Sequence, residues 1–218
     1  AIRVMGDKQV RRIPVVEDLP GVGRNLQDHP SIAMVWGADR EVTLTNELRF
    51  DRLTASVLQW ALTGKGRIAN MPVTANGFIK TRPDLERPDA QCLFQPTSIL
   101  ARPWFPGVKQ PAADVIAMAC VLLRPEGRGW VKLASADPTV QPRILSNVLS
   151  TENDRAFFRR AIPQIREILA TAPLSDVVRG EMLPGSGVNS AEEIDAWVRG
   201  AVGTAMHPAG SCGMGTGA

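Results

Sequence analysis

Short apolar runs separated by proline and glycine fill the middle of the chain, and they restrict its fold more than any other feature. Between residues 71 and 143 the sequence switches repeatedly between such runs and turn residues. Runs of this length bounded by turn signals are typical of strands joined by loops in an antiparallel sheet. The runs that carry this prediction are 77–79, 91–94, 115–123 and 130–133.

Helical spacing of apolar residues flanks this region on both sides. It occurs over 52–62, before a glycine that is suited to end a helix, and again over 151–170 and from 190 onward. Thr151 with Asp154, and Ser190 with Glu193, predict capping pairs at the start of the two later helices, and Pro163 predicts a kink. Regular alternation of strand and helix is absent, so the predicted fold class is α+β: an antiparallel sheet of about six strands flanked by helices.

Composition narrows the function classes. The 218 residues include 25 basic and 22 acidic side chains, a net charge of +3, and 44% of them are hydrophobic, which predicts a folded domain. No basic stripe is present and tyrosine is absent, so nucleic-acid binding is not expected. The longest apolar run, 115–123, is about half of what a membrane-spanning helix needs, and no leader sequence is visible. Three cysteines without zinc spacing predict no disulfide framework, no metal site and a cytoplasmic location.

The first of two histidines, His29, lies in a polar loop rich in glycine and proline, 18–30, with the sequence DLPGVGRNLQDHP. Such a loop lets the backbone approach a ligand closely. It is equally compatible with a tight turn in which Asn25 and Asp28 bond their own backbone. The residues alone leave both interpretations open.

The second, His207, lies in the segment 206–215, MHPAGSCGMG, which we expect at the end of the last helix. A histidine there can take or give a proton at neutral pH, or it can be structural. Ser211 and Cys212 raise the alternative of a hydroxyl or thiol nucleophile paired with His207.

These two segments resemble two sequence blocks of the glucose-methanol-choline (GMC) oxidoreductases. Further blocks that look like the same family, in the same order, are 62–66, 77–79, 123–129, 133–138 and 147–150. The resemblance covers nearly the whole chain. The family usually has arginine or lysine where Gly213 stands.

The resemblance implies a choline dehydrogenase-like flavoprotein that oxidises an alcohol by hydride transfer to FAD. His207 matches the family's active-site histidine, which acts as the base on the substrate hydroxyl or stabilises the alkoxide. Gly23, Asn25 and His29 match a family segment beside the cofactor and are expected to lie near the flavin.

The resemblance also predicts an organisation. Residues 1–40 form a loop segment that would border the flavin domain, 41–205 the substrate-binding α+β domain, and 206–218 the start of the catalytic histidine motif. The FAD-binding Rossmann half has no counterpart here, so we expect a fragment that is inactive alone and whose partners are that missing domain and a small-molecule alcohol. The alternatives are a non-catalytic binding or scaffold domain derived from the family, or a hydroxynitrile lyase-type member.

Overall fold

The computed structural model describes residues 19–38, 42–70, 73–109, 111–137 and 139–214. The strands are β1 (Pro30–Ala38), β2 (Ala75–Ile79), β3 (Ala90–Gln95), β4 (Val115–Leu122), β5 (Trp130–Lys132), β6 (Arg143–Leu145), β7 (Val178–Leu183) and β8 (Gly203–Thr204). The helices are α1 (Phe50–Thr63), α2 (Glu152–Ala170) and α3 (Ala191–Ala201).

Six strands form one sheet in the order β2-β3-β4-β1-β7, with β8 paired to the start of β1. All of its strand pairings are antiparallel. Strands β5 and β6 form a separate antiparallel pair. The predicted antiparallel sheet flanked by helices is therefore confirmed.

The strand β1 corrects the expectation that residues 1–40 form only a loop segment. Over Pro30–Ala38 the side chains alternate between buried and more exposed, and β1 lies between β4 and β7 in the sheet. The period of two was obscured in the sequence because both faces of this strand carry mostly small or apolar side chains.

One face of the sheet packs against α2 and α3. The even-numbered residues of β1 and β4 lie on this face together with the apolar stripe of α2, which includes Phe157, Ile162 and Ile165. Each of these three side chains is at most 1% exposed, and burial of one such side chain stabilises the fold by about 1.5–3 kcal/mol. Arg159 of α2 also pairs with Asp195 of α3. The helices thus cover one face of the sheet.

The predicted helix starts are confirmed in part. Ser190 and Glu193 form a complete capping box at α3. Thr151 caps α2 by accepting from the N–H of Asp154. The Asp154 carboxylate, however, accepts the backbone N–H groups of Glu126 and Gly127 instead of completing a capping pair. A long-range pair of backbone donors holds this buried carboxylate, which a local sequence pattern does not reveal.

The amphipathic helix predicted over 52–62 is present as α1, and Gly64 ends it in a left-handed conformation. None of its side chains is buried among the described residues. Leu58 and Leu62 are 58% and 84% exposed. The spacing of apolar residues therefore predicted the helix correctly. The apolar side chains of α1 are not buried against the sheet.

Candidate active site

Two loops that are far apart in sequence are joined by backbone hydrogen bonds. Gln27 and Ala209 exchange both of their backbone bonds, at 2.9 and 2.8 Å. The N–H of Gly23 donates to the carbonyl of Ser211 at 2.7 Å, and the N–H of Ala205 donates to the carbonyl of His29 at 2.9 Å. The loop before β1 and the loop after β8 therefore form one unit, which we call the histidine platform (residues 19–29 and 205–213).

The histidine platform brings the two histidines of the chain into contact. The Nδ1 atoms of His29 and His207 are 3.5 Å apart, and their rings meet edge to face with centroids 5.4 Å apart. His29 is half-buried and His207 is exposed. A nitrogen pair at this distance allows an N–H of one ring to donate a hydrogen bond to the bare nitrogen of the other.

Asp28 fixes the backbone at both histidines. Its Oδ1 accepts the N–H of His29 at 2.7 Å and the N–H of His207 at 2.9 Å. The residue before His207, Met206, has a φ of 60°, a left-handed conformation that is unfavourable for a residue with a side chain. The hydrogen bond from the N–H of His207 to Asp28 stabilises this backbone conformation. It also fixes the position of the His207 backbone, from which the ring extends.

Glycines allow the close approach of these loops. A Cβ on Gly210 would lie 2.4 Å from the carbonyl oxygen of Asn25, and one on Gly23 would lie 2.1 Å from that of Val131. Both glycines also have positive φ angles, 84° and 81°. A larger residue at Gly210 would push the two loops apart, and one at Gly23 would push its loop away from β5.

Burial and the neighbouring ring lower the pKa of His29. Partial loss of solvent is the larger cause, the charge of a protonated His207 adds to it, and the Asp28 carboxylate opposes it. The lowered pKa favours the neutral form of His29, whose ring then has one nitrogen that accepts and one that donates.

A cavity of about 350 Å³ adjoins the platform beside Gly23. Arg24 and Lys132 contribute its cationic side chains, while Pro20 and Val22 contribute apolar surface. A larger cavity of about 430 Å³ lies elsewhere, between α2 and β7. The guanidinium of Arg166 there is bonded to Glu181 at 2.9 Å and to nearby carbonyls, so that region serves to hold α2 to the sheet.

The structure brings together the residues that the sequence singled out. Gly23, Asn25 and His29 lie on one loop of the platform and His207 lies on the other. The expectation that His207 lies at the end of the last helix is wrong. Helix α3 ends at Ala201, and strand β8 lies between it and His207. The sequence predicted for Asp28 only a hydrogen bond to the backbone of its own loop. Its second hydrogen bond, from the N–H of His207 179 positions away, has no signal in the sequence.

Comparisons with known proteins place the chain among its relatives. The family described as "GMC oxidoreductase" matches residues 125–218. The chain is 39% identical over 205 residues, 94% of its length, to the oxygen-dependent choline dehydrogenase of Pseudomonas entomophila (strain L48), of which it covers 35%. The chain belongs to the GMC oxidoreductase family. The human mitochondrial choline dehydrogenase is 38% identical to this GMC chain over 93% of its length, and the alignment covers 34% of that enzyme.

Solved structures show the same fold. A formate oxidase aligns with a TM-score of 0.71 and 23% identity over 86% of this chain and 37% of its own. Pyridoxine 4-oxidase from Mesorbium loti aligns with a TM-score of 0.68 and 23% identity over 92% of this chain and 35% of its own. The GMC chain therefore spans about a third of the length of these relatives. Among the described residues, no helix has the length and apolarity needed to cross a bilayer.

Proposed function

We propose that this chain is the substrate-side part of an FAD-dependent alcohol oxidoreductase, with His207 as the base that takes the proton of the substrate hydroxyl. The observation that carries the proposal is the contact of His207 with His29 on the histidine platform. Removing the hydroxyl proton makes the carbinol carbon a better hydride donor, so a proton acceptor must lie beside that hydroxyl.

The pair of histidines gives His207 the correct proton arrangement. The lowered pKa of His29 favours its neutral ring, and we assign its Nδ1 as the acceptor of a hydrogen bond that Nδ1–H of His207 donates. The proton on Nδ1 of His207 then leaves Nε2 as the basic atom, since the partner of one imidazole nitrogen fixes the tautomer. His207 is exposed, so Nε2 is accessible to an alcohol.

FAD would lie against the histidine platform, and it would supply the acceptor for the hydride. The residues fit this group: the cavity beside Gly23 carries the cations Arg24 and Lys132, which match the negative charge of a diphosphate. Gly23, Asn25 and His29 are the residues we assign to the cofactor side. His207 lies on the other loop of the platform, and we assign it to accept the proton of the substrate hydroxyl.

We further propose that the isolated 218-residue chain neither holds FAD tightly nor turns over alcohols. The strands of the described sheet pair antiparallel, whereas dinucleotide sites of the Rossmann type lie at the end of a parallel sheet. Purified chain should show no stoichiometric flavin absorbance in the visible range. A yellow protein with one flavin per chain would contradict this part of the proposal.

The test of the base uses the complete flavoenzyme that contains this chain. We expect His207→Ala to lower turnover by roughly 10²–10⁴-fold, the usual contribution of a positioned base, with FAD still bound. Cys212→Ser is the matched control, because Cys212 is exposed on the same loop and is the alternative nucleophile. Unchanged turnover in His207→Ala, or a comparable loss in Cys212→Ser, would remove His207 from its assigned role.

A further inference from the structure

We propose that the buried carboxylate of Asp154 is a positioning residue for His207 and acts on it through the loop that carries His29. This inference rests on the proposed function, because it takes His207 as the base. Asp154 lies in the first turn of α2 and is 2% exposed, and it takes no direct part in the proton transfer. Three successive sets of hydrogen bonds connect it to His207.

The first set fixes the turn that precedes β5 against the start of α2. The two carboxylate oxygens of Asp154 accept the backbone N–H groups of Glu126 and Gly127, both at 2.9 Å. The turn packs tightly there, since a Cβ on Gly127 would lie 2.8 Å from the carbonyl oxygen of Asn147. The side-chain amide of Asn147 also donates to the carbonyl of Arg128 at 2.8 Å. The turn is therefore bonded from two sides.

The segment that follows this turn is bonded to the histidine platform. Gly129 and Leu26 exchange both of their backbone hydrogen bonds, at 2.7 and 3.0 Å. The N–H of Val131 also donates to the carbonyl of Gly23 at 2.7 Å. Gly129 and Leu26 are buried, and hydrogen bonds shielded from water are stronger than exposed ones. The segment that Asp154 holds therefore sets the position of one platform loop.

The same loop carries Asp28, two residues after Leu26. The Asp28 carboxylate accepts the backbone N–H groups of His29 and His207, so a shift at Leu26 displaces Asp28 and, with it, the backbone of His207. The Nδ1 atoms of the two rings are 3.5 Å apart, close to the longest distance at which a hydrogen bond forms. A small displacement of one loop relative to the other therefore breaks the contact that orients His207.

A second buried carboxylate, Glu181, separates positioning from stability. Its side chain is 8% exposed and accepts the guanidinium of Arg166 in α2 at 2.9 Å. Glu181 pairs with Trp36 in the sheet, roughly 23 Å along β1 from His29 at about 3.3 Å per residue. Loss of this carboxylate should therefore destabilise the fold, as loss of Asp154 does, without moving the histidine platform.

The test compares Asp154→Asn with Glu181→Gln in the complete flavoenzyme. Each substitution exchanges one carboxylate oxygen for an NH2 group, which cannot accept the hydrogen bond that the oxygen accepted. The rate of flavin reduction is measured with choline or butan-1-ol, whichever the parent oxidises faster, and is expressed per bound flavin so that unfolded protein does not contribute. We expect at least about a 10-fold loss in Asp154→Asn and less than about a 2-fold change in Glu181→Gln. Equal rates in Asp154→Asn and the parent, or an equal loss in both variants, would overturn the inference.

A His207→Ala background distinguishes this inference from the proposed function. There, Asp154→Asn should lower the rate by less than a further factor of about 2, because the side chain that it positions is gone and the two effects are not additive. The full further loss in that background would overturn the inference and leave the proposed function standing. An unchanged rate in His207→Ala alone would overturn the proposed function.

Hydrogen exchange of the complete flavoenzyme gives a second readout, which needs no substrate. In Asp154→Asn the backbone N–H groups of Leu26 and His207 should exchange at least about 10-fold faster than in the parent, because both hydrogen bonds lie on the path from Asp154. Glu181→Gln should leave both exchange rates unchanged. Parent-like exchange at Leu26 and His207 in Asp154→Asn would contradict the connection between Asp154 and the histidine platform.

Discussion

The Asp28 carboxylate accepts the backbone N–H of His207 at 2.9 Å, across 179 residues of sequence. We expect Asp28→Ala to lower kcat of the complete enzyme by about 100-fold, the loss that a displacement of about 1 Å produces in a catalytic group. Asp28→Asn keeps an oxygen acceptor of the same size and should recover most of kcat. Equal kcat in Asp28→Ala and the parent would show that this bond does not position His207.

The lowered pKa of His29 predicts a dependence of stability on pH. Its pKa in the folded chain is below the ordinary value of 6.5, so near and below that value the unfolded chain binds more protons than the folded chain. The contribution of His29 to the free energy of unfolding is therefore complete above pH 6.5 and is lost as the pH falls through the lowered pKa.

Thermal unfolding measured between pH 7.5 and 5 checks this dependence. We expect the Tm of the parent chain to fall more steeply over this range than that of His29→Gln, which removes the titration and keeps a polar side chain. Parallel Tm curves for the two proteins would contradict a lowered pKa.

Gly210 and Gly64 form a matched pair for testing how tightly the two loops of the platform approach. Both have positive φ angles, 84° and 67°, but a Cβ on Gly64 meets nothing within 4 Å, whereas one on Gly210 lies 2.4 Å from the carbonyl oxygen of Asn25. Gly64→Ala should lower the free energy of unfolding by only about 1 kcal/mol, because a residue with a side chain disfavours a positive φ. Gly210→Ala should cost at least about 2 kcal/mol more in the free energy of unfolding, since backbone must move. Chemical denaturation of both variants gives the difference, and equal costs would refute the close approach.

The buried carboxylate of Asp154 predicts a large loss of stability on truncation. It is 2% exposed and accepts two backbone N–H groups, from Glu126 and Gly127, both at 2.9 Å. Asp154→Ala leaves both donors without a partner and should lower the free energy of unfolding by about 2–5 kcal/mol. Glu152→Ala, at an exposed position two residues earlier in α2, is the control and should change it by less than about 1 kcal/mol. Similar denaturation midpoints for the two variants would contradict this role.

The three cysteines provide a direct probe of the sheet. Cys92 and Cys120 are opposite each other in β3 and β4 and are buried, whereas Cys212 is exposed. Burial raises the pKa of Cys92 to about 11 and that of Cys120 well above its ordinary value, which suppresses the reactive thiolate. A thiol reagent at pH 8 should therefore label one cysteine in the folded chain and three in denaturant. Cys212→Ser should abolish the fast reaction, and rapid labelling of two or three thiols in the folded chain would contradict the fold.

Local patterns in the sequence predicted most of the secondary structure. The spacing of apolar residues identified the three helices, and the capping pair of Ser190 and Glu193 marked the start of α3 where the structure has it. These features depend on interactions between residues three or four positions apart, so a linear sequence contains them. The strands β1, β6, β7 and β8 were not predicted. In β1 the alternation is hidden because both faces carry apolar or small side chains.

The assembly of the site was decided by tertiary structure. The sequence by itself determined which side chains were available: two histidines in loops rich in glycine, and apolar runs suited to an antiparallel sheet. Only the folded chain determined that these loops join through Gln27 and Ala209, and that Asp28 accepts backbone N–H groups from both histidines. The physical reason is that these contacts link residues as far as 179 positions apart, and their geometry depends on sheet register and loop approach, which no local pattern specifies.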